Sequence, residues 1–246
     1  MQCRPGIIAG MSRSLRPPRG GLVYHVMNRG NGGRRIFRKR SDYLAFIQIL
    51  REALAEIPIR ILAYCLTPVD WRLLLWPQED RGEDLSKFMH WITLTHASRW
   101  HAHRGTRGQG HLYQRRFKSF PAQPGGHVSG VIRFTEQTPL RTGLAEKLED
   151  WEWSSYRART QGADDRTDIL SALPRSLSRS WQQSTEQPLS RGQIAAMREC
   201  VHRGRPYGDE TWTAEIAEEL GLQSTLRPIG RPRRPTGINA PLTLEV

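Results

Sequence analysis

The chain has 246 residues, 37% of them hydrophobic, so it is long enough for one sizeable domain with an appendage or for two small domains. Its 37 lysines and arginines outnumber 24 aspartates and glutamates, a formal net charge of +13 that attracts polyanions such as nucleic acid, although charge of this size also serves solubility. Three scattered cysteines exclude a disulfide framework and a cysteine zinc site, and no apolar run of about 20 residues is present to span a membrane. No targeting segment is recognisable, so a cytoplasmic location is predicted.

The predicted elements begin after a basic arm rich in proline and arginine at residues 1–21, in which either Met1 or Met11 can be the natural start. A strand at residues 22–27 is followed by a turn of glycine and arginine. Ser41 and Asp42 are predicted to cap an amphipathic helix that Pro58 stops. The remaining elements are strands at residues 59–66 and 70–76, a helix at 84–103, a strand at 111–120 and a helix at 127–138 that Pro139 ends.

This order of elements, β-α-β-β-α-β followed by a helix, predicts an α+β protein of the ferredoxin-like arrangement, with helices on one face of an antiparallel sheet. The domain is predicted to occupy residues 22–160. Residues 161–246 are predicted to be a mainly helical or irregular basic extension, with a linker or loosely packed stretch at 164–188 and short helices at 190–202 and 209–220. The fold alone does not imply a function.

Five strings of residues carry a resemblance to a known family. They lie in order at residues 23–31, 63–68, 110–119, 139–144 and 153–157. Together they resemble the REP-associated tyrosine transposases, members of the HUH single-tyrosine transposase superfamily, over about residues 12–160.

The resemblance implies a specific chemistry. Members hold Mg²⁺ or Mn²⁺ with two histidines that alternate along one strand and therefore share a face. A tyrosine on a following helix attacks the scissile phosphate of single-stranded DNA, and a polar side chain one helical turn beyond it completes the metal shell. The metal neutralises charge on the phosphoryl oxygens while the tyrosine acts as a covalent nucleophile.

This chain departs from the family at each of these positions. The two histidines correspond to Asp70 and Arg72, the tyrosine corresponds to Phe134, and the metal-completing position is Thr138. An aspartate can still ligate a hard cation, but a guanidinium has no lone pair to give and stays charged. Phenylalanine has no nucleophilic oxygen. The sequence therefore predicts a catalytically degenerate protein that needs no metal cofactor.

Two alternatives stay open at this point. In the first, the alignment is slipped and other residues serve an active transposase; the candidates are His96, His101, His103, Tyr64 and Tyr113. In the second, the chain is an RNA- or protein-binding module that keeps only the scaffold.

Basic and aromatic residues nominate a DNA-binding surface, because cations follow a phosphate backbone while aromatic rings stack on unpaired bases. The candidates are Arg29, Arg34, Arg35 and Arg38 around the first turn, Tyr113, Arg115, Arg116 and Lys118 on the predicted fourth strand, and Arg205, Arg231, Arg233 and Arg234 in the tail. A solvated face is the alternative for the first two sets, and Tyr113 or Phe117 can belong to the core. The tail arginines resemble the cores of minor-groove hooks, or give a basic tail nonspecific affinity.

The expected partner is therefore DNA, single-stranded or in a hairpin. The sequence leaves open the oligomeric state, and whether the protein is a domesticated regulator or a decaying copy of a mobile element.

Overall fold

A computed structural model describes residues 18–162, 168–174, 177 and 181–227. Its strands are β1 (Val23–Arg29), β2 (Ile59–Leu66), β3 (Asp70–Pro77) and β4 (Lys118–Ala122). Its α-helices over these residues are α1 (Arg40–Glu56), α2 (Glu83–Arg104), α3 (Gly126–Glu136), α4 (Thr138–Arg141), α5 (Ser155–Thr160), α6 (Trp181–Glu186), α7 (Arg191–Arg203) and α8 (Glu210–Glu219). Within these residues, none of the helices has the length and apolar character needed to cross a bilayer.

The four strands form one antiparallel sheet in the order β2-β3-β1-β4, which confirms the predicted α+β class and its β-α-β-β-α-β order. Successive residues of β3 point to opposite faces of the sheet. Trp71 and Leu73 belong to the core beneath α1 and α2, whereas Leu74 belongs to a second core beneath α3. Asp70 and Arg72 therefore share the face of Leu74.

Helices cover both faces of the sheet, where the sequence predicted a helix layer on one face. On the first face, the ring of Phe46 in α1 stacks on Trp71 with centroids 5.5 Å apart. On the second face, Val131 and Ile132 of α3 pack with Leu74 and strand β4 in a separate apolar cluster. The second layer forms because the strands carry buried apolar residues on both faces.

Both edges of the sheet are covered by later parts of the chain. On the β2 side, the Ser171 amide donates to the Ile61 carbonyl at 2.9 Å. On the β4 side, the Tyr207 amide donates to the Pro121 carbonyl, also at 2.9 Å. Covered edges leave fewer unpaired backbone groups to recruit another strand.

The described part of residues 164–188 is packed more closely than predicted. Ile169 is buried in the first core and Leu177 in the second. The Gln137 side chain donates to the Thr185 carbonyl at 2.8 Å, which ties α6 to the end of α3. The composition of this stretch is polar, but a few apolar side chains and backbone bonds suffice to dock it.

Three predicted boundaries were wrong. The fourth strand begins at Lys118 rather than residue 111, because residues 112–114 form only isolated bonds with the chain around Arg29–Asn31. The third helix ends at Glu136, and Pro139 lies in the first turn of the short helix α4, where its missing N–H is not needed. Lys39 rather than Ser41 precedes α1, and the Asp42 carboxylate accepts from the amides of Arg38 and Lys39.

Candidate functional site

The structure brings together the four residues that the family resemblance singled out. Asp70 and Arg72 alternate on β3, and their side chains emerge on the face covered by α3. Phe134 lies in the last turn of α3, and Thr138 begins α4 one turn later. Because α3 packs directly on this face of the sheet, the helix and strand residues meet in one cavity.

Arg72 links the strand to the helix. Its Nη1 donates to Thr138 Oγ1 at 2.6 Å, and its Nη2 donates to Asp70 Oδ2 at 3.2 Å. The Arg72 side chain is only 14% exposed and that of Asp70 is 9% exposed. The guanidinium is therefore fixed between the carboxylate and the hydroxyl.

Thr138 joins two arginines through one oxygen. Its Oγ1 accepts from Arg72 and also from Arg141 Nη2 at 3.0 Å, and it donates to the Phe134 carbonyl at 3.2 Å. A hydroxyl has one proton and two lone pairs, so these three bonds use all of its capacity. No lone pair of Thr138 is left for a metal ion.

Phe134, which the resemblance aligns with the family's tyrosine, is a packed aromatic ring. The Arg141 guanidinium lies over this ring at 4.3 Å from its centroid, and Arg141 Nη2 also donates to the Phe134 carbonyl. Phe134 is 4% exposed. The contact combines a cation–π attraction with apolar burial, and the ring offers no oxygen to a phosphorus atom.

The residues present do not fit the divalent metal that the family resemblance implies. Asp70 is the single carboxylate among the described residues that line the cavity, and its Oδ1 accepts from Thr67 Oγ1 at 3.0 Å while Oδ2 accepts from Arg72. A cation here would face the fixed positive charge of Arg72. Over the described ranges, no three histidine, cysteine or acidic side chains group as ligands for a metal.

Tyr64 and Tyr113, considered as replacements, pack in or against the first core, on the face of the sheet opposite this cavity. The histidines considered with them lie on α2, which covers that same face: His96, His101 and His103. His96 stacks against Phe37 in the first core, and its Nδ1 shares a 2.5 Å hydrogen bond with the Tyr113 hydroxyl. Burial lowers the pKa of His96 to about 3. His101 is hydrogen-bonded to Thr106 at the end of α2. His96, His101 and Tyr113, named in the alternative of a slipped alignment, are thus not gathered around Asp70 and Arg72.

The cavity has a volume of about 220 Å³ and a strongly basic lining. Its described lining residues are Met27, Arg29, Asp70, Arg72, Phe134, Arg141, Thr142, Arg198 and Val201. Burial, and after it the positive charge of Arg72, lower the pKa of Arg141 to about 9. Two guanidiniums, those of Arg72 and Arg141, are therefore held close together by the hydroxyl of Thr138.

Sequence reasoning missed three residues of this region. Arg141 was part of a matching string but received no role, and Arg198 lies on α7, far along the chain. His25 on β1 is fully buried beside Phe120, with ring centroids 4.9 Å apart, and both its ring nitrogens lack a hydrogen-bond partner. Burial, then the charges of Arg72 and Arg141, lower the pKa of His25 to about 3. Only the alternation along β1 signalled its face.

The predicted arginines of the first turn are mostly exposed. Arg29, at the end of β1, reaches the basic cavity, whereas Arg35 and Arg38 face solvent. Arg34 lies 5.6 Å over the ring of Trp100 and is half-buried. These four residues therefore do not form one continuous patch around a single contact.

The predicted set around Tyr113 borders a separate groove of about 1110 Å³ between α2, residues 111–121 and the end of α7. Arg115, Arg116 and Lys118 are exposed along it, and its described lining contains no aspartate or glutamate. Tyr113 differs from them, because its hydroxyl accepts from Trp71 Nε1 at 2.9 Å and also bonds His96. Tyr113 thus joins the groove to the core, while the cations are free to meet a polyanion.

The tail candidates are placed only in part. Arg205 lies 3.8 Å from Glu199 at the end of α7 and is thus held in an ion pair rather than on an extended arm. Arg231, Arg233 and Arg234 lie outside the described residues.

Comparison with known proteins found likeness to solved structures. No family model matches the chain, and no curated protein matches it. A solved structure of a REP-associated tyrosine transposase bound to a REP hairpin is similar to it, with 17% sequence identity and a TM-score of 0.48. The match covers 64% of this chain and 95% of that one.

Proposed function

We propose that this protein binds DNA on a transposase-like scaffold and does not carry out the metal-dependent strand cleavage of that family. The observation that carries the proposal is the position of Arg72. Its guanidinium lies between Asp70 and Thr138, at the place where the family resemblance implies a cation. Phe134, one turn before Thr138, supplies no nucleophile.

The DNA-binding part of the proposal is supported by charge and exposure. The chain carries a net charge of +13, and the exposed side chains of Arg115, Arg116 and Lys118 border a groove whose described lining has no acidic residue. Such a surface favours binding of a phosphate backbone, because its cations neutralise phosphates and release the counterions condensed on the nucleic acid. Single-stranded or hairpin DNA is the proposed ligand.

The cleavage part is tested by searching for a covalent product. The full-length protein is incubated with labelled single-stranded hairpin DNA and Mg²⁺ or Mn²⁺, and the products are separated under denaturing conditions. We expect no protein–DNA adduct and no shortened DNA. A metal-dependent adduct would overturn the proposal and favour an active transposase with replacement residues.

The binding part is tested by salt-dependent anisotropy with the same hairpin and an RNA of matching sequence. We expect DNA to bind more tightly than RNA, with affinity that falls as salt rises. A variant with Arg115→Gln and Arg116→Gln is expected to bind DNA more weakly and with a shallower salt slope. The matched control replaces Lys147 and Arg191, two exposed cations outside the groove, with glutamine. Preference for RNA, or equal binding by both variants, would contradict the proposal.

A further inference from the structure

The basic cavity beside β3 has an excess of positive charge that its described surroundings leave unneutralised. Four arginines line it, Arg29, Arg72, Arg141 and Arg198, against the single carboxylate of Asp70, a formal charge of +3. Arg72 and Arg141 are fixed on the floor by Thr138, whereas Arg29 and Arg198 are exposed at its mouth. Two fixed guanidiniums so close to each other repel, and an anion between the arginines would relieve the repulsion.

One donor in this cavity also lacks an acceptor. Arg141 Nη1 is buried and has no hydrogen-bond partner, while its Nη2 is bound to Thr138 and to the Phe134 carbonyl. Buried donors without partners are uncommon in folded proteins. A ligand that supplies several acceptor oxygens would satisfy it.

From these observations we infer that the cavity is a metal-independent binding site for a phosphate group, in which arginines stand where the family resemblance implies a cation. This inference rests on the proposed function, since DNA is the polyanion that would bring such a group. The forked guanidinium donors of arginine match the oxygens of a phosphate, and about 220 Å³ accommodates one phosphate with its nearest ester atoms.

The bound phosphate group can be free inorganic phosphate, the terminal phosphate of a DNA strand or a phosphodiester of the DNA backbone, and the experiment distinguishes these three ligands. Inorganic phosphate is titrated at constant ionic strength, and two single-stranded oligodeoxynucleotides of identical sequence, one 5′-phosphorylated and one 5′-hydroxyl, are titrated in parallel. The variants are Arg198→Gln and Arg29→Gln, both exposed and therefore tolerated by the fold. Arg191→Gln is the matched control for Arg198→Gln, because Arg191 is an exposed arginine on the same helix, outside the cavity.

We expect each mouth variant to bind inorganic phosphate about tenfold more weakly than the native chain, as the loss of one charge-assisted hydrogen bond implies, and the control to bind it normally. If the 5′-phosphorylated strand is preferred and the preference is lost in Arg198→Gln, the ligand is a terminal phosphate. If Arg198→Gln binds both strands more weakly than the control does, and by the same factor, the ligand is a backbone phosphodiester. If only inorganic phosphate responds, the site stands with free phosphate as its ligand.

The inference is overturned if both mouth variants match Arg191→Gln with all three ligands. In that event, tight binding of the oligonucleotides by every variant would leave the proposed DNA-binding function intact and refute only this site. Phosphate binding that depends on Arg198, without any oligonucleotide binding, would support this site and refute the proposed DNA-binding function.

Discussion

Replacing Asp70 with asparagine removes the one carboxylate found among the described lining residues of the basic cavity, while keeping the shape of the side chain. Asp70 accepts from Arg72 at 3.2 Å and from Thr67 at 3.0 Å, and an asparagine carbonyl can retain only part of this pattern. The folded state of the variant then holds Arg72 with no opposite charge next to it. We expect the Asp70→Asn variant to fold but to be less stable.

The size of the loss follows from the geometry. Opposite charges 3.2 Å apart attract by on the order of 5 kcal/mol at an effective dielectric constant of about 20. Desolvation of both groups offsets part of this, and breaking one partner of a buried pair costs about 3–5 kcal/mol. Because Arg72 retains its bond to Thr138 and remains 14% exposed, the expected decrease in unfolding free energy is about 2–3 kcal/mol.

Urea unfolding of a double-mutant cycle measures this interaction. Asp70→Asn, Arg72→Met and the double variant are compared with the native chain, and we expect a coupling energy of about 2 kcal/mol. A decrease below about 0.5 kcal/mol in Asp70→Asn would refute the claim that this pair neutralises Arg72. The same variant gives a second, opposite expectation: inorganic phosphate should bind about tenfold more tightly, because a negative charge has left its site.

Three further predictions concern the metal position and two buried titratable groups. The Asp70→His, Arg72→His variant should gain about 2–3 kcal/mol of stability in saturating Mn²⁺, which thermal unfolding with and without the metal measures. Burial raises the pKa of Glu136 above 4.5, so native stability should fall as pH rises above that value, and Glu136→Gln should show a shallower fall in urea unfolding. His25→Phe should raise the unfolding free energy by about 1 kcal/mol near neutral pH by removing unpaired nitrogens, and by more in acid.

The sign of the His25 effect follows from its pKa of about 3 in the native chain, against 6.5 when it is exposed. Between these values the unfolded chain binds a proton that the native chain does not, so native stability falls as pH falls. An equal gain for His25→Phe at every pH would contradict this assignment. For Glu136, the same fall of stability with rising pH in Glu136→Gln as in the native chain would contradict the raised pKa of this carboxyl. For the Asp70→His, Arg72→His variant, equal stabilisation of the native chain by Mn²⁺ would show that the metal binds somewhere other than at these two positions.

The sequence by itself determined the class of fold and the residue types at the positions that the family resemblance singles out. Apolar spacing located the four strands and the main helices because secondary structure depends on neighbours a few residues away, and the sheet order confirms the resulting arrangement. Alternation along β3 placed Asp70 and Arg72 on one face, and the identity of Phe134 determined without any coordinates that this side chain has no hydroxyl.

Only the tertiary structure decided what surrounds those positions. Arg141 and Arg198 join Arg72 in one cavity, although the three residues lie on different elements far apart in the chain. Tyr113 is held by Trp71 and His96, which no local pattern around Tyr113 specifies. The first contacts arise from the packing of α3 and α7 on one face of the sheet, and those of Tyr113 from the packing of α2 on the other. Their energies depend on distances that sequence spacing does not determine.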